Sequence, residues 1–298
     1  MAAFACASRT LRVEPHVVSS SNRLAVLIPT KGRHDSLRRS LPLVVVAAGR
    51  VGAAVVLCDQ SATPFADPGP WTVLHRPDLS GLPAARNALL AATSAEVVLF
   101  IDDDTDLAPD FCERLEDLSA DRIALGWGPV VESRTPWTRR LHRLAQPGCF
   151  RDPRRLVAGP GAASTWDVST WALFGCCFAV RREVALATGG FDARRPGYAL
   201  GEDLDFFRRL RDRFGPGRLR FTADLRAVHR RDGGDRADRY RRGFAKGRFL
   251  RWWAARHGRG DPVTLPSLLI ASLAAMSGWG QEPADPRGVL AGLAGALG

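Results

Sequence analysis

VVLFIDDDTD, residues 97–106, joins five consecutive apolar residues to three consecutive aspartates, with a fourth acid two residues further on. An apolar run that does not alternate suits a strand covered on both faces, as in a parallel sheet packed between helices. Adjacent carboxylates repel, so such a cluster at a strand end costs stability unless positive charge sits among it. A divalent cation answers that need. A hydrated acidic turn is the plainer reading, as is an acidic start to the next helix capped by Thr105 or Asp106.

The same pattern recurs on the N-terminal side. RLAVLIP (23–29) precedes a helical stretch at 35–48, and AAVVLCD (53–59) precedes a Pro/Gly-rich loop and a helix at 82–93. The strand at 96–102 is followed by a helix at 109–118. Strand and helix alternating three times predict an open α/β sheet. Ligands of such sheets bind beyond the carboxyl ends of the strands. All three strands end in polar loops, PTKGR, DQS and DDDTD, and a nucleotide-sized ligand would fit the edge they define. Residues 131–167 read as loop. A strand, a short helix and a glycine-stopped turn follow in 171–192, then a helix at 201–215 with Leu204, Phe207, Leu210 and Phe214 at helical spacing. Residues 218–230 read as a strand pair or a bent strand.

At 298 residues, 46% of them apolar and including 14 Phe and 8 Trp, the chain has material for one large α/β domain or two ordinary ones. The formal net charge is +11, but residues 205–260 alone hold 18 Lys/Arg and 6 Asp, a net +12 that leaves −1 for the rest. That points to a partner bound at one segment. DRYRRGFAKGRFLRWWAARHGRG (238–260) reads as an amphipathic helix with two possible uses. It lies on an anionic membrane through 239–259, or it covers the sheet with its arginines in water. PVTLPSLLIASLAAMSGWG (262–280) has an apolar core of about a dozen residues, short of the ~20 that span a bilayer. The cysteines, Cys6, Cys58, Cys112, Cys149, Cys176 and Cys177, form no C-x-x-C pair. They read as buried thiols of a reducing cytosol. Residues 1–22 lack the layout of a secretory signal and read as a loosely ordered tail, so the expected location is cytoplasmic.

Three constellations carry chemistry. Asp102 and Asp104 form a D-x-D at a strand end, a pattern that gives one carboxylate to Mg2+ or Mn2+ and the other to a ribose hydroxyl or metal-bound water. Glu202 and Asp203 open a helix after Gly201; they complement the helix dipole or supply a general base. His229 is an ordinary histidine unless its strand end lies near Asp104, where it becomes a third ligand. Neither G-x-x-x-x-G-K-[ST] nor G-x-G-x-x-G occurs, so ATP hydrolysis and dinucleotide redox chemistry lose support.

Taken in order, VLIPTKGR (26–33), VVLCDQS (55–61), ARN (85–87), FIDDD (100–104), GGFD (189–192), GEDLDF (201–206) and AVH (227–229) resemble the family 2 glycosyltransferases. That family has the GT-A fold, a Rossmann-like α/β domain. The resemblance covers about residues 23–230. It implies a single domain with a mixed, mainly parallel sheet there, after the tail 1–22 and before a helical C-terminal extension, 231–298. It implies inverting transfer of a sugar from a nucleotide-diphosphate donor, a UDP- or dTDP-sugar, to a hydroxyl acceptor, lipid-linked acceptors included, with Mn2+ or Mg2+ as cofactor. A basic helix lying on lipid would place the enzyme at the inner face of the membrane.

By the same resemblance Pro29, Thr30, Arg33 and Asp59 border the base, and Arg86, Asn87, Asp102 and Asp103 complete the nucleotide-sugar site. Asp104 and His229 bind the metal, Asp203 is the catalytic base, and Glu202 helps place the acceptor. Of the three aspartates, Asp104 is expected on the metal, Asp102 on the ribose side and Asp103 turned away. One departure stands out. CDQS replaces the commoner acidic pair before a glycine and serine, so only Asp59 carries over. Two rival classes are a nucleic-acid binder acting through 205–260 and a family member that binds sugar nucleotides without transfer. The acidic strand-end loops oppose the first, so no nucleic acid is expected; the intact Glu202–Asp203 pair opposes the second.

Overall fold

The structure, a computed structural model, describes residues 23–119, 124–127, 165–167, 175–194, 199–215, 218–222, 225–230, 232, 238–257, 276 and 284–295. The expectations for the tail 1–22, the loop 131–167 and the apolar 262–280 segment lie outside these residues, as do Cys6 and Cys149, except for Met276 and for 165–167, which form a strand and not loop. The N-terminal elements are β1 (Leu24–Thr30), α1 (His34–Gly49), β2 (Ala54–Asp59), β3 (Thr72–His75), α2 (Leu82–Ala91) and β4 (Val97–Ile101). After them come β5 (Thr105–Leu107), α3 (Phe111–Ser119), β6 (Ala124–Trp127), β7 (Thr165–Asp167) and β8 (Cys177–Arg181). The chain continues with α4 (Arg182–Ala187), α5 (Glu202–Phe214), β9 (Leu219–Thr222), β10 (Ala227–His229), α6 (Arg239–His257) and α7 (Pro286–Ala294).

Eight strands form one sheet in the order β3-β2-β1-β4-β8-β6-β9-β7. β3, β2, β1 and β4 are parallel neighbours, β8 runs antiparallel between β4 and β6, and β9 returns parallel to β6. The sheet is therefore mixed and mainly parallel. Every residue of β1 is buried, as its unalternating sequence requires of a strand covered on both faces. Ala25 and Leu27 face one core with Ala85 and Leu89 of α2 and Phe206, Phe207 and Leu210 of α5. Leu24, Val26 and Ile28 face the other, with Leu37, Leu41 and Val44 of α1 and Phe111 and Leu115 of α3. Cys58, Cys112, Cys176 and Cys177 are buried free thiols.

Two short elements escape the sequence pattern and matter for the site. The Pro/Gly-rich loop contains β3, and residues 105–107, read above as a helix approach, form β5. β5 pairs antiparallel with β10 in a separate two-stranded sheet, setting His229 opposite Thr105. α3 starts only at Phe111, so Asp106 does not cap it; its carboxylate instead accepts from Ser40 Oγ at 3.2 Å and from Arg230.

The basic segment forms α6, whose apolar residues turn inward. Phe249 and Trp253 are buried in the same core as α5. Of the two uses read for this helix, covering the fold accounts for its aromatic face. α7 lies against it, with Gly243 and Gly247 meeting Gly288 and Gly292 so closely that an added Cβ would strike backbone. Among the described residues no helix is long and apolar enough to cross a membrane.

Candidate active site

Parallel register brings the polar strand ends together: Thr30 of β1 stands beside Asp59 of β2, and Leu27 beside Phe100 of β4. The three aspartates that follow β4 point in different directions, because a tight turn rotates each residue relative to the last. The turn is closed by Thr105 N donating to Asp102 O at 3.1 Å.

Asp104 is 1% exposed and has two distinct faces. Its Oδ2 accepts from Arg33 Nη2 at 2.5 Å and from the Asp232 amide at 3.0 Å. Its Oδ1 stands 3.0 Å from His229 Nε2, and neither of these buried atoms has a further partner. Asp102 Oδ2 lies 3.8 Å from the same nitrogen. One ligand atom from each of Asp102, Asp104 and His229 falls within 4.8 Å of the others. Buried polar atoms rarely stand without a partner. Two carboxylate oxygens and an imidazole nitrogen converging in this way fit a hard to borderline divalent cation. Burial disfavours the charged form of Asp104, but His229 and Arg33 outweigh it and hold the carboxyl well below the usual carboxylate range.

Asp103, between the two, is turned to protein. Its carboxylate accepts from Thr30 Oγ1 at 2.7 Å and pairs with Arg33 Nε at 3.1 Å. Burial pushes this carboxyl up to about 7 despite Arg33 and Thr30. Arg33 thus ties the first loop to two of the aspartates.

The second acidic cluster reaches the first through Arg86 on α2. Arg86 is 1% exposed; its guanidinium donates to Glu202 Oε1, to Gly175 O at 2.6 Å and to Asp102 Oδ1 at 3.4 Å. Its flat face lies over the Phe178 and Phe191 rings, 5.5 and 5.4 Å from their centroids. A fork-shaped cation with fixed donors suits such a bridge; a lysine would not. Burial raises the Glu202 carboxyl to about 8 against the pull of Arg86, and its Oε2 is buried without a partner. Removing the bridge leaves the buried Glu202 without its guanidinium partner. Arg86→Met is expected to destabilise the protein by about 3–5 kcal/mol, read as a lower urea midpoint.

Asp203, beside Glu202 at the start of α5, is held among the described residues by backbone amides. Its Oδ2 accepts from Gly175 N at 3.1 Å and its Oδ1 from Leu204 N at 2.9 Å. Gly175 therefore serves both clusters, its carbonyl on Arg86 and its amide on Asp203. A Cβ added to Gly175 would stand 2.7 Å from Asp203 Oδ2, closer than van der Waals contact allows. Gly175→Ala is expected to displace that carboxylate and lower kcat by roughly 10²-fold, since misplacement of about 1 Å costs that much. Tm should stay near wild type, as measured by calorimetry.

The remaining predicted residues are nearby but engaged. Pro29 is buried within β1. Asp59 is fully buried: it accepts from the Ser61 amide at 2.9 Å and the Phe65 amide at 2.7 Å, and sits 3.0 Å from His34 Nε2. Burial opposes its charged form, yet the contacts with Ser61, Phe65 and His34 prevail and lower its pKa. Asn87 spends its side-chain amide on the Phe191 backbone, donating to O and accepting from N at 2.8 Å each. It fixes the GGFD turn, where Gly190 has φ +63 and no room for a Cβ beside Asn87 Oδ1. The sequence reading missed Gly175, whose only signal is a glycine just before an apolar strand.

Three side chains that could hold a cation, and a carboxylate pair joined to them at the carboxyl edge of a mainly parallel sheet, are features of a GT-A glycosyltransferase. The family model for glycosyl transferase family 2 matches residues 26–187. The chain belongs to that family and is a glycosyltransferase. A comparison with curated proteins returned no match. Among solved structures, it is similar to the mannosyltransferase PcManGT from Pyrobaculum calidifontis in complex with GDP-Man and Mn2+. The TM-score is 0.54 at 17% identity, over 94% of this chain and 75% of that one. It is also similar to S. aureus TarS (1–349) in complex with UDP-GlcNAc, at TM-score 0.52 and 15% identity, over 86% of this chain and 73% of that one. At these identities the likeness establishes the fold.

Proposed function

We propose that the chain catalyses inverting transfer of a sugar from a nucleotide-diphosphate donor to a hydroxyl acceptor, with Asp203 as general base. The observation that carries this reading is the Arg86 bridge, which joins Asp102 of the metal-ligand set to Glu202 of the carboxylate pair within one site. Asp102, Asp104 and His229 would hold Mn2+ or Mg2+, which when bound neutralises charge on the leaving diphosphate. Asp203 takes the proton of the acceptor hydroxyl as its oxygen attacks the anomeric carbon and the bond to the diphosphate breaks. One base and one displacement invert the configuration, whereas a glycosidase requires a carboxylate pair flanking the bond.

Glu202 is committed to Arg86, which donates to its Oε1. Its proposed role is therefore to place the acceptor beside Asp203, not to abstract the proton. Thr30 and Arg33 border the nucleotide through the loop after β1. The buried, saturated carboxylate of Asp59 shapes that loop from behind by fixing Ser61, whose Oγ accepts from Gly32 N at 2.7 Å. The neighbours' complexes hold GDP-Man and UDP-GlcNAc, and we take a UDP- or dTDP-sugar as the donor class. The test is a thermal-shift panel of nucleotide sugars with and without Mn2+, followed by assays of donor turnover. Metal-dependent stabilisation by one donor supports the reading; no response to any nucleotide sugar overturns it.

A further inference from the structure

The catalytic pair sits on α5, beyond the residues 26–187 matched by the family model, and the structure points to what fixes that helix in place. The N-cap and the first turn of that helix are gripped by α6. At Gly201, φ +79, an added Cβ would lie 2.0 Å from Phe249 Cε2, so the buried Phe249 ring occupies the space of a side chain. Four residues on, Asp205 is fully buried. Its Oδ1 accepts from Arg256 Nε at 2.6 Å and lies 2.9 Å from His257 Nε2, while its Oδ2 accepts from Arg209 Nε at 2.8 Å.

Asp205 lies on α5 about 200° from Asp203, and Gly201 is the cap of the same turn. α6 therefore holds the side of α5 that faces away from the reacting carboxylate. The grip extends further. Arg256 Nη1 reaches Asp192 at 3.4 Å in the GGFD turn, and Phe191 of that turn stacks on Phe206 with centroids 4.5 Å apart. The buried Trp253 packs at 4.4 Å against the His257 ring.

We propose that Phe249, Arg256 and His257 of the C-terminal helix are positioning residues for the Glu202–Asp203 turn, which makes the basic extension part of the transfer apparatus. The inference rests on the reading of that turn as the catalytic one. A buried carboxylate held by charged donors resists displacement far more than a surface pair does. Deleting Arg256 loosens the turn while the metal-ligand residues keep their own partners.

The test uses the full chain and compares Arg256→Ala, Arg256→Lys and Leu115→Ala. Leu115 lies in the core on the opposite side of the sheet, so its variant reports general destabilisation. Hydrogen exchange of the peptide spanning 201–207 is read together with turnover of the donor found by the panel and calorimetric binding of UDP with Mn2+. In Arg256→Ala, exchange in 201–207 is expected to rise about tenfold and kcat to fall at least about tenfold, with UDP binding unchanged. Arg256→Lys should recover part of both, and Leu115→Ala neither loss at an equal drop in Tm. Wild-type exchange in 201–207, or an equal kcat loss in Leu115→Ala at equal Tm, overturns the proposal. Retained turnover in Asp203→Asn would sink the base assignment instead, and the exchange result would still decide the grip.

Discussion

Asp203→Asn is expected to lower kcat by roughly 10²- to 10⁴-fold, the usual contribution of a positioned general base, with binding of UDP and Mn2+ unchanged. The substitution preserves shape but removes the charge that accepts the acceptor proton. Both Asp203 oxygens accept from backbone amides, of Gly175 and of Leu204, whereas an asparagine has only one acceptor oxygen. One amide therefore loses its partner, at a cost of about 0.5–1.5 kcal/mol, and a small fall in Tm should accompany the loss of turnover. A loss of kcat with donor KM unchanged identifies an interaction made only in the transition state. Turnover within about threefold of wild type would remove Asp203 from the role, because no general base contributes so little.

The strands were legible because a parallel strand buried on both faces leaves an unbroken apolar run, as in β1 and β4. The acidic residues were legible because carboxylates at such a strand end have few other reasons to cluster. The three-residue strands β5 and β10 were not, since they are too short for any period to register. Yet their pairing carries His229 to Asp104, which the sequence left conditional. Gly175 was invisible for another reason: it acts through its amide and carbonyl, which every residue has. Arg86, Asn87 and Asp59 were visible as motif residues, but burial decided their use. Arg86 became a bridge between acids, Asn87 a clamp on the GGFD turn, and Asp59 a support for the loop beside it. The aromatic face of α6 was ambiguous because a membrane and a protein core ask for the same residues. Burial of Phe249 and Trp253 in the core shared with α5 separates the two.

Asp104→Ala is expected to weaken Mn2+ binding by at least about 100-fold and to remove metal-dependent turnover, with calorimetric titration of Mn2+ into the metal-free protein as the measurement. Substitutions outside the first coordination shell already cost 10- to 100-fold in affinity, so loss of a direct ligand should reach the upper end or beyond. Asp103→Asn is the contrast. Asp103 sits between the two candidate ligands in sequence, but its carboxylate is spent on Thr30 and Arg33, so most of the metal affinity should survive. Equal loss in the two variants would mean that the cluster attracts the ion by charge alone, without a defined ligand set.

The metal-free proteins should differ in acid. The folded-state pKa of Asp104 is depressed, so its stabilising contribution is fully present above the unfolded value of about 3.9 and is lost as pH falls below it. Wild type and Asp104→Ala should therefore differ most in Tm near neutral pH and converge as the titration passes below that value. Arg33 keeps Asp103 in the variant, which limits the loss at neutral pH to what Asp104 itself supplies. A gap that instead widened in acid would mean that Asp104 is protonated in the folded state. A protonated Asp104 is a poor ligand, so that result would move the metal away from this aspartate.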